Sequence, residues 1–186
     1  MVSVAAAESI EAMRLENQRE TFMRLMELYE LPLRRLAAAY LQKPADREDL
    51  VQEIALAMWR AIPNFRGDAS ERTWLYRIAH NVAISWSAKL RRTLNREGQA
   101  AEPFDSPSPD SNTEADAVTD ERRRLMIASI RGLQPADRQI ILLHLESLSY
   151  SEIKEVTGLS ETAIAARLTR IRGKLKEQIK RKEAGA

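Results

Sequence analysis

Apolar residues recur along this chain at steps of three and four, and almost nowhere in strict alternation. Ile10, Met13, Phe22, Leu25, Met26 and Tyr29 fall on one side of a helix over residues 9–29, as an amphipathic helix requires. Pro32 lacks an N–H and should break or restart that helix, leaving a second over residues 33–41. A third is expected to start near Asp46, a residue type suited to cap it, and to end before Pro63, with Leu50, Ile54, Ala57 and Met58 inward. After a loop, NFRGD, a fourth over residues 70–92 repeats Leu75, Ile78, Val82 and Trp86.

The pattern then stops. Residues 93–118, TLNREGQAAEPFDSPSPDSNTEADAV, hold Pro103, Pro107 and Pro109 among Ser, Asp and Glu, with sparse apolar residues. This reads as a flexible acidic linker. It separates a first domain, residues 1–92, from a second, residues 119–186. Helical periodicity resumes over residues 120–130. A further helix opens at Pro135, a favoured first-turn position, and carries Ile140, Ile141, Leu143 and Leu145. The last two helices come from YSEIKEVTGLSETAIAARLTRIRGKLK. The fold class expected is all-α, two small helical domains on a flexible linker.

Composition agrees: aromatics make up 5% of the chain, and only 6 of 186 residues are glycine. The absence of cysteine excludes disulfides and thiolate metal sites. The N-terminal stretch has no long apolar run, so neither a signal peptide nor membrane insertion is expected, and the reading is a soluble cytoplasmic protein. His80 and His144 stand alone, without metal-ligand spacing, and no glycine-rich phosphate loop is present. The expectation is no enzyme, no metal and no cofactor. Net charge is only +2, but residues 61–99 carry +4, residues 100–121 carry −7 and residues 122–186 carry +7. Basic segments of this kind attract phosphate backbones, although solvated helix faces produce the same counts.

The last two helices sharpen that choice. Ser149 and Glu152 fit a capping box; Gly158 suits a left-handed helix end; Leu159 plugs the corner; Ser160 can cap the next helix, with Glu161 at its positive end. Ile164, Leu168, Ile171, Leu175 and Ile179 make one face apolar, whereas Arg167, Arg170 and Lys174 face away. Residues 160–182 hold 8 basic and 2 acidic side chains. A helix of this kind fits a DNA major groove and holds phosphates with its flanks. A helical hairpin of an interaction domain has the same outline.

Residues 46–92 decide between these outlines through EDLVQE, FRGD and TWLYRIAHN. They closely resemble the second conserved region of bacterial RNA polymerase sigma factors of the extracytoplasmic-function (ECF) group in the sigma-70 family. Residues 120–182 resemble that group's fourth region. The resemblance implies a factor that binds core RNA polymerase and directs promoter-specific initiation. Its first domain would read and open the −10 element, and its second would read the −35 element. The implied partners are core polymerase, through the largest subunit's coiled coil and the flap region, promoter DNA, and, as a candidate, an anti-sigma factor.

Residue by residue, Asp49, Leu50, Gln52, Glu53 and Trp59 match the polymerase-docking helix. Phe65, Arg66 and Arg72 belong to the loop that helps capture a flipped −10 base, and Asn81 lies near that pocket, where an amide can read a base edge. Tyr76, Arg77 and Lys89 extend the −10 set. Trp74 and Tyr76 have two readings, stacking on unpaired bases or anchoring the core, and core fits Trp74 better. The −35 set is Ser160, Glu161, Thr162, Arg167, Arg170 and Lys174. Two departures stand out. Glu71 occupies a position where the family often has an aromatic, and an acid there should repel single-stranded DNA. Ala163, Ala165 and Ala166 replace the polar residues usual in the recognition helix.

Overall fold

Pro32 does not interrupt the first helix. In the computed structural model, which describes residues 2–96 and 114–184, α1 runs unbroken from Val2–Tyr40 with Pro32 inside it. The two helices expected here are therefore one. A proline costs a helix one N–H bond and crowds the preceding turn. Burial on both sides of it offsets that cost, because Leu25, Leu33, Leu36 and Ala37 are all core residues. Helix α2, Pro44–Ala61, starts two residues before Asp46, with Pro44 in its first turn and Lys43 at the N-cap. Asp46 lies within that turn, near the helix's positive end, and does not cap it.

A 3-10 turn, Ile62–Asn64, ends α2, and Gly67 at φ +78 bends the loop toward α3, Glu71–Arg96. The Thr73 N–H donates to Ser70 Oγ at 3.1 Å, which caps α3. Leu50, Ile54, Met58, Leu75, Ala79 and Ala83 close a core between α1, α2 and α3. Helix α3 extends four residues into the stretch read as a linker, and α4, Glu114–Arg131, also begins inside it. The rest of that stretch, residues 97–113, lies outside the described residues.

Helix α5, Pro135–Leu145, opens at the expected proline and ends in a tight corner. Ser147 N–H bonds the His144 carbonyl and Leu148 N–H bonds the Leu143 carbonyl. This is the left-handed cap in which glycine is usual, yet Ser147 fills it at φ +62. Helix α6, Tyr150–Thr157, has the full capping box between Ser149 and Glu152 and ends on Gly158 at φ +73. Helix α7, Glu161–Ala184, completes the second domain. Ile140, Leu143, Ile153, Ile164, Leu168 and Ile171 are all fully buried in its centre.

The two domains touch. Helix α4 packs on α1, and α5 and α6 pack on α3. At the C-terminal end of α1, Arg131 of α4 donates to the Ala38 carbonyl at 2.7 Å, and Arg47 donates to the carbonyls of Leu41 and Gln42. Cations at the negative end of a helix are favourable. Arg138 lies over the Tyr40 ring at 5.2 Å in the same corner. Burial, and then the nearby Arg47 and Arg138, lower the Arg131 guanidinium to about 10.

Candidate polymerase and nucleic-acid interfaces

Helix α2 aligns Asp49, Gln52 and Leu56 on an exposed face, with Glu53 half-buried beside them. Steps of three and four put these residues one turn apart. Leu56, 41% exposed, supplies an apolar centre that sequence reasoning missed. Trp59 is only partly exposed. Its ring meets Phe22 edge-on at 5.5 Å and its carbonyl accepts from Gln18 Nε2 at 2.7 Å. Leu50, expected to touch polymerase, is 0% exposed and belongs to the core; its side chain points away from the Asp49 face.

Helix α3 divides the expected −10 residues between two sides. Arg77, Asn81, Ser85, Lys89 and Arg92 are all exposed. Their spacing makes a polar ridge along one side, with Arg66 exposed in the preceding loop. Arg72 and Tyr76, four residues apart, face the second domain instead. Tyr76 is 2% exposed and donates its hydroxyl to Glu146 Oε2 at 3.1 Å. Burial, and then Glu146, push that hydroxyl well above its ordinary range, so it stays protonated. Trp74 is buried and packs on Phe65 with ring centroids 4.9 Å apart. Neither Trp74 nor Tyr76 is placed to stack on a base in this structure; Trp74 is a core anchor under the loop.

Glu71 does not confront its surroundings as a bare acid. Arg24 of α1 grips both carboxylate oxygens, at 2.9 and 2.6 Å. The hydrogen bonds from Arg24 hold the Glu71 carboxyl below its usual range. No sequence signal pairs residues 47 positions apart, so the neutralisation was invisible before the fold.

In the second domain Ser160 Oγ accepts from the Ala163 N–H at 3.2 Å and caps α7. Glu161 and Thr162 are exposed at that start, and Arg170 is exposed more than two turns further along α7. Arg167 and Lys174 are turned toward Asp137 of α5, at 3.3 and 3.7 Å. Asp137 is almost wholly buried, so one acid restrains two cations of the recognition helix. On the far side, α4, α5 and α7 leave a cavity of about 600 Å³ lined by Met126, Ile141, Leu145, Leu175 and Ile179 under Lys176 and Lys180. His144 borders it and accepts from Arg172 at 2.7 Å. Partial burial, then Arg172, lower its basicity.

Two separate segments of the chain match known family profiles, Sigma-70 region 2 over residues 20–93 and Sigma-70 region 4 over residues 123–175. The ECF RNA polymerase sigma-E factor of Haemophilus influenzae is 31% identical over 172 residues, covering 88% of this chain and 90% of its own length. The corresponding sigma-E factor of Escherichia coli K12 is 32% identical over 164 residues, covering 84% and 85%. This chain belongs to the ECF group of the sigma-70 family. The sigma factor also shares its fold with two solved structures. RpoE of Bartonella quintana, crystallised with the anti-sigma factor NepR, gives a TM-score of 0.68 at 23% identity, over 87% of this chain and 98% of that one. CnrH, in complex with the cytosolic domain of CnrY, gives 0.64 at 22% identity, over 91% and 94%. The region 2 match spans most of α1 with α2 and α3, and the region 4 match runs from α4 into α7. As a sigma factor the chain serves transcription initiation and acts with core RNA polymerase and promoter DNA. Among the described residues no helix is long and apolar enough to cross a membrane.

Proposed function

We propose that this sigma factor docks on core polymerase through the Asp49, Gln52, Glu53 and Leu56 face of α2, with the exposed edge of Trp59. An apolar centre ringed by polar groups suits a stable protein interface. The ridge of α3, Arg77, Asn81 and Lys89 with Arg66 in the loop, takes the −10 strand. Its cations hold phosphates while the Asn81 amide reads a base edge. The start of α7, Ser160 to Thr162 with Arg170, enters the −35 major groove, and Arg167 and Lys174 stay within reach of backbone phosphates beside Asp137. The apolar cavity of the second domain receives the flap region of polymerase. The factor contributes binding and positioning, and no catalytic chemistry of its own, in the cytoplasm. An anti-sigma partner is proposed from the solved relative RpoE, which is bound to the anti-sigma factor NepR.

The observation that carries this reading is the solvent-facing α3 ridge, which brings Arg77, Asn81 and Lys89 onto one side inside the region 2 match. Reconstitution with core polymerase and start-site mapping over a template library tests it. The wild-type factor should confer a defined −10 and −35 consensus. Asn81→Ala should relax preference at one −10 position by about tenfold, the scale of one good base contact. An unchanged preference profile removes that assignment, and uniform loss across sequences makes Asn81 a backbone contact.

A further inference from the structure

Glu146 breaks a local rule. It caps the C-terminus of α5, where the helix dipole is negative and an acid is unfavourable. Its partners lie in the other domain. Arg35 of α1 donates from Nε and Nη2 to the two carboxylate oxygens, each at 2.9 Å. Tyr76 donates to one of the same oxygens at 3.1 Å, and Arg72 donates to the Glu146 backbone carbonyl. The carboxylate oxygens are thus gripped in the paired geometry by which arginine also holds two phosphate oxygens. Arg72 and Tyr76 lie in the first two turns of α3, so the helix's positive end adds to the attraction. The Glu152 carboxylate also lies close to Arg72, so the attraction for an anion at this spot rests on the paired Arg35 donors and the Tyr76 hydroxyl. Arg35 is 111 residues from Glu146 and carries no role in any motif of the first domain.

We propose that Arg35, Arg72 and Tyr76 form a cradle for a backbone phosphate of the melted −10 strand, and that Glu146 occupies it while the chain is closed. Strand and second domain then compete for one site. Capture of the strand displaces Glu146 and frees the second domain to move away; release of the strand lets the carboxylate return. The cradle lies at the start of α3, next to the loop of residues 65–70, on a different side of α3 from the Arg77–Asn81 ridge. It therefore adds a contact to the strand rather than duplicating one. This rests on the assignment of the first domain to the −10 element.

The full chain has no cysteine, so dyes placed at Glu27→Cys and Glu155→Cys, both exposed, report domain separation by energy transfer. A fluorescein-labelled single-stranded DNA 12-mer of mixed sequence reports strand binding by anisotropy at fixed ionic strength. In the wild type, transfer should fall as oligonucleotide is added, and inorganic phosphate at the same concentration should leave it unchanged. Glu146→Ala and the isosteric Glu146→Gln should both start with lower transfer and bind the oligonucleotide at least threefold tighter. Arg35→Ala should also open the chain but bind no tighter than wild type, because it removes a cradle donor. Circular dichroism melts confirm that each variant is folded. The proposal is overturned if the Glu146 variants stay as closed as wild type, or if they open without binding the strand more tightly. Start-site selection by core polymerase, measured on the same preparations, separates the two readings. Its absence alongside the expected shifts sinks the promoter assignment and leaves the cradle standing; its presence without them does the reverse.

Discussion

At the scale of single residues, burial decides how charge behaves. His80 is wholly buried, hydrogen-bonded through Nδ1 to Tyr40 Oη at 3.1 Å, with no hydrogen-bond partner at Nε2. Burial pushes its imidazole down to about 3. The unfolded chain, with histidine near 6.5, then binds the proton first as pH falls. The stability owed to neutral His80 is complete above pH 6.5 and drains away between there and about 3. Thermal or urea melts should show a loss of about 2 kcal/mol by pH 5 from this group, and His80→Leu should flatten that part of the curve. Arg24 illustrates the opposite case, a cation whose worth is local. Its pair with Glu71 is solvent-exposed at both ends, with 48% and 40% of the side chains accessible, so Arg24→Ala should change folding stability by less than about 1 kcal/mol. The released Glu71 charge should nonetheless weaken binding of a single-stranded oligonucleotide about threefold in 50 mM salt, and less in 500 mM as screening grows. Equal binding by the two proteins at low salt would show that the Glu71 charge does not reach the strand.

At the scale of elements, caps and corners fix the recognition unit. Ser149→Ala removes the Oγ half of the α6 capping box, while the backbone N–H at 149 still donates to Glu152, and should cost about 1 kcal/mol in urea melts. Gly158→Ala leaves ample room for a methyl group but forces a side chain into φ +73, and should cost a similar amount through backbone strain alone. Both features were legible in the sequence because each depends on residues three to eight positions apart. So were the inward stripes Leu50, Ile54, Met58 and Ile164, Leu168, Ile171, Leu175, which report the helix period directly. The continuity of α1 through Pro32 was not legible, since propensity weighs one residue while tertiary burial of Leu25, Leu33 and Leu36 overrides it. The candidate site was legible in the same partial way. Asn81, Arg77, Lys89 and Arg170 are exposed where their spacing put them. The burial of Leu50 follows from the helix period too, yet its neighbours in the EDLVQE motif drew it into a partner surface. The side of α3 taken by Arg72 and Tyr76, and the tethering of Arg167 by Asp137, depend on contacts 30 to 74 residues away. No local pattern encodes those.

For the whole molecule, the contact between domains is rich in arginine: Arg35, Arg72, Arg131 and Arg138 all reach across it. Ion pairs that remain partly solvated are individually weak and screened by salt. Small-angle scattering should therefore show a radius of gyration that grows between 50 and 500 mM sodium chloride, and Arg35→Ala should bring the larger value already at 50 mM. A radius independent of salt would assign the junction's cohesion to its apolar contacts instead. Glu146 sits next to Ser147, the one described residue other than glycine with a positive φ. Nature has put a residue that resists this twist where a freer one would serve, so the corner is a place where rigidity can be dialled. For an engineer borrowing this chain as a portable gene switch, a glycine at that position offers a sturdier scaffold with every DNA-facing charge left in place.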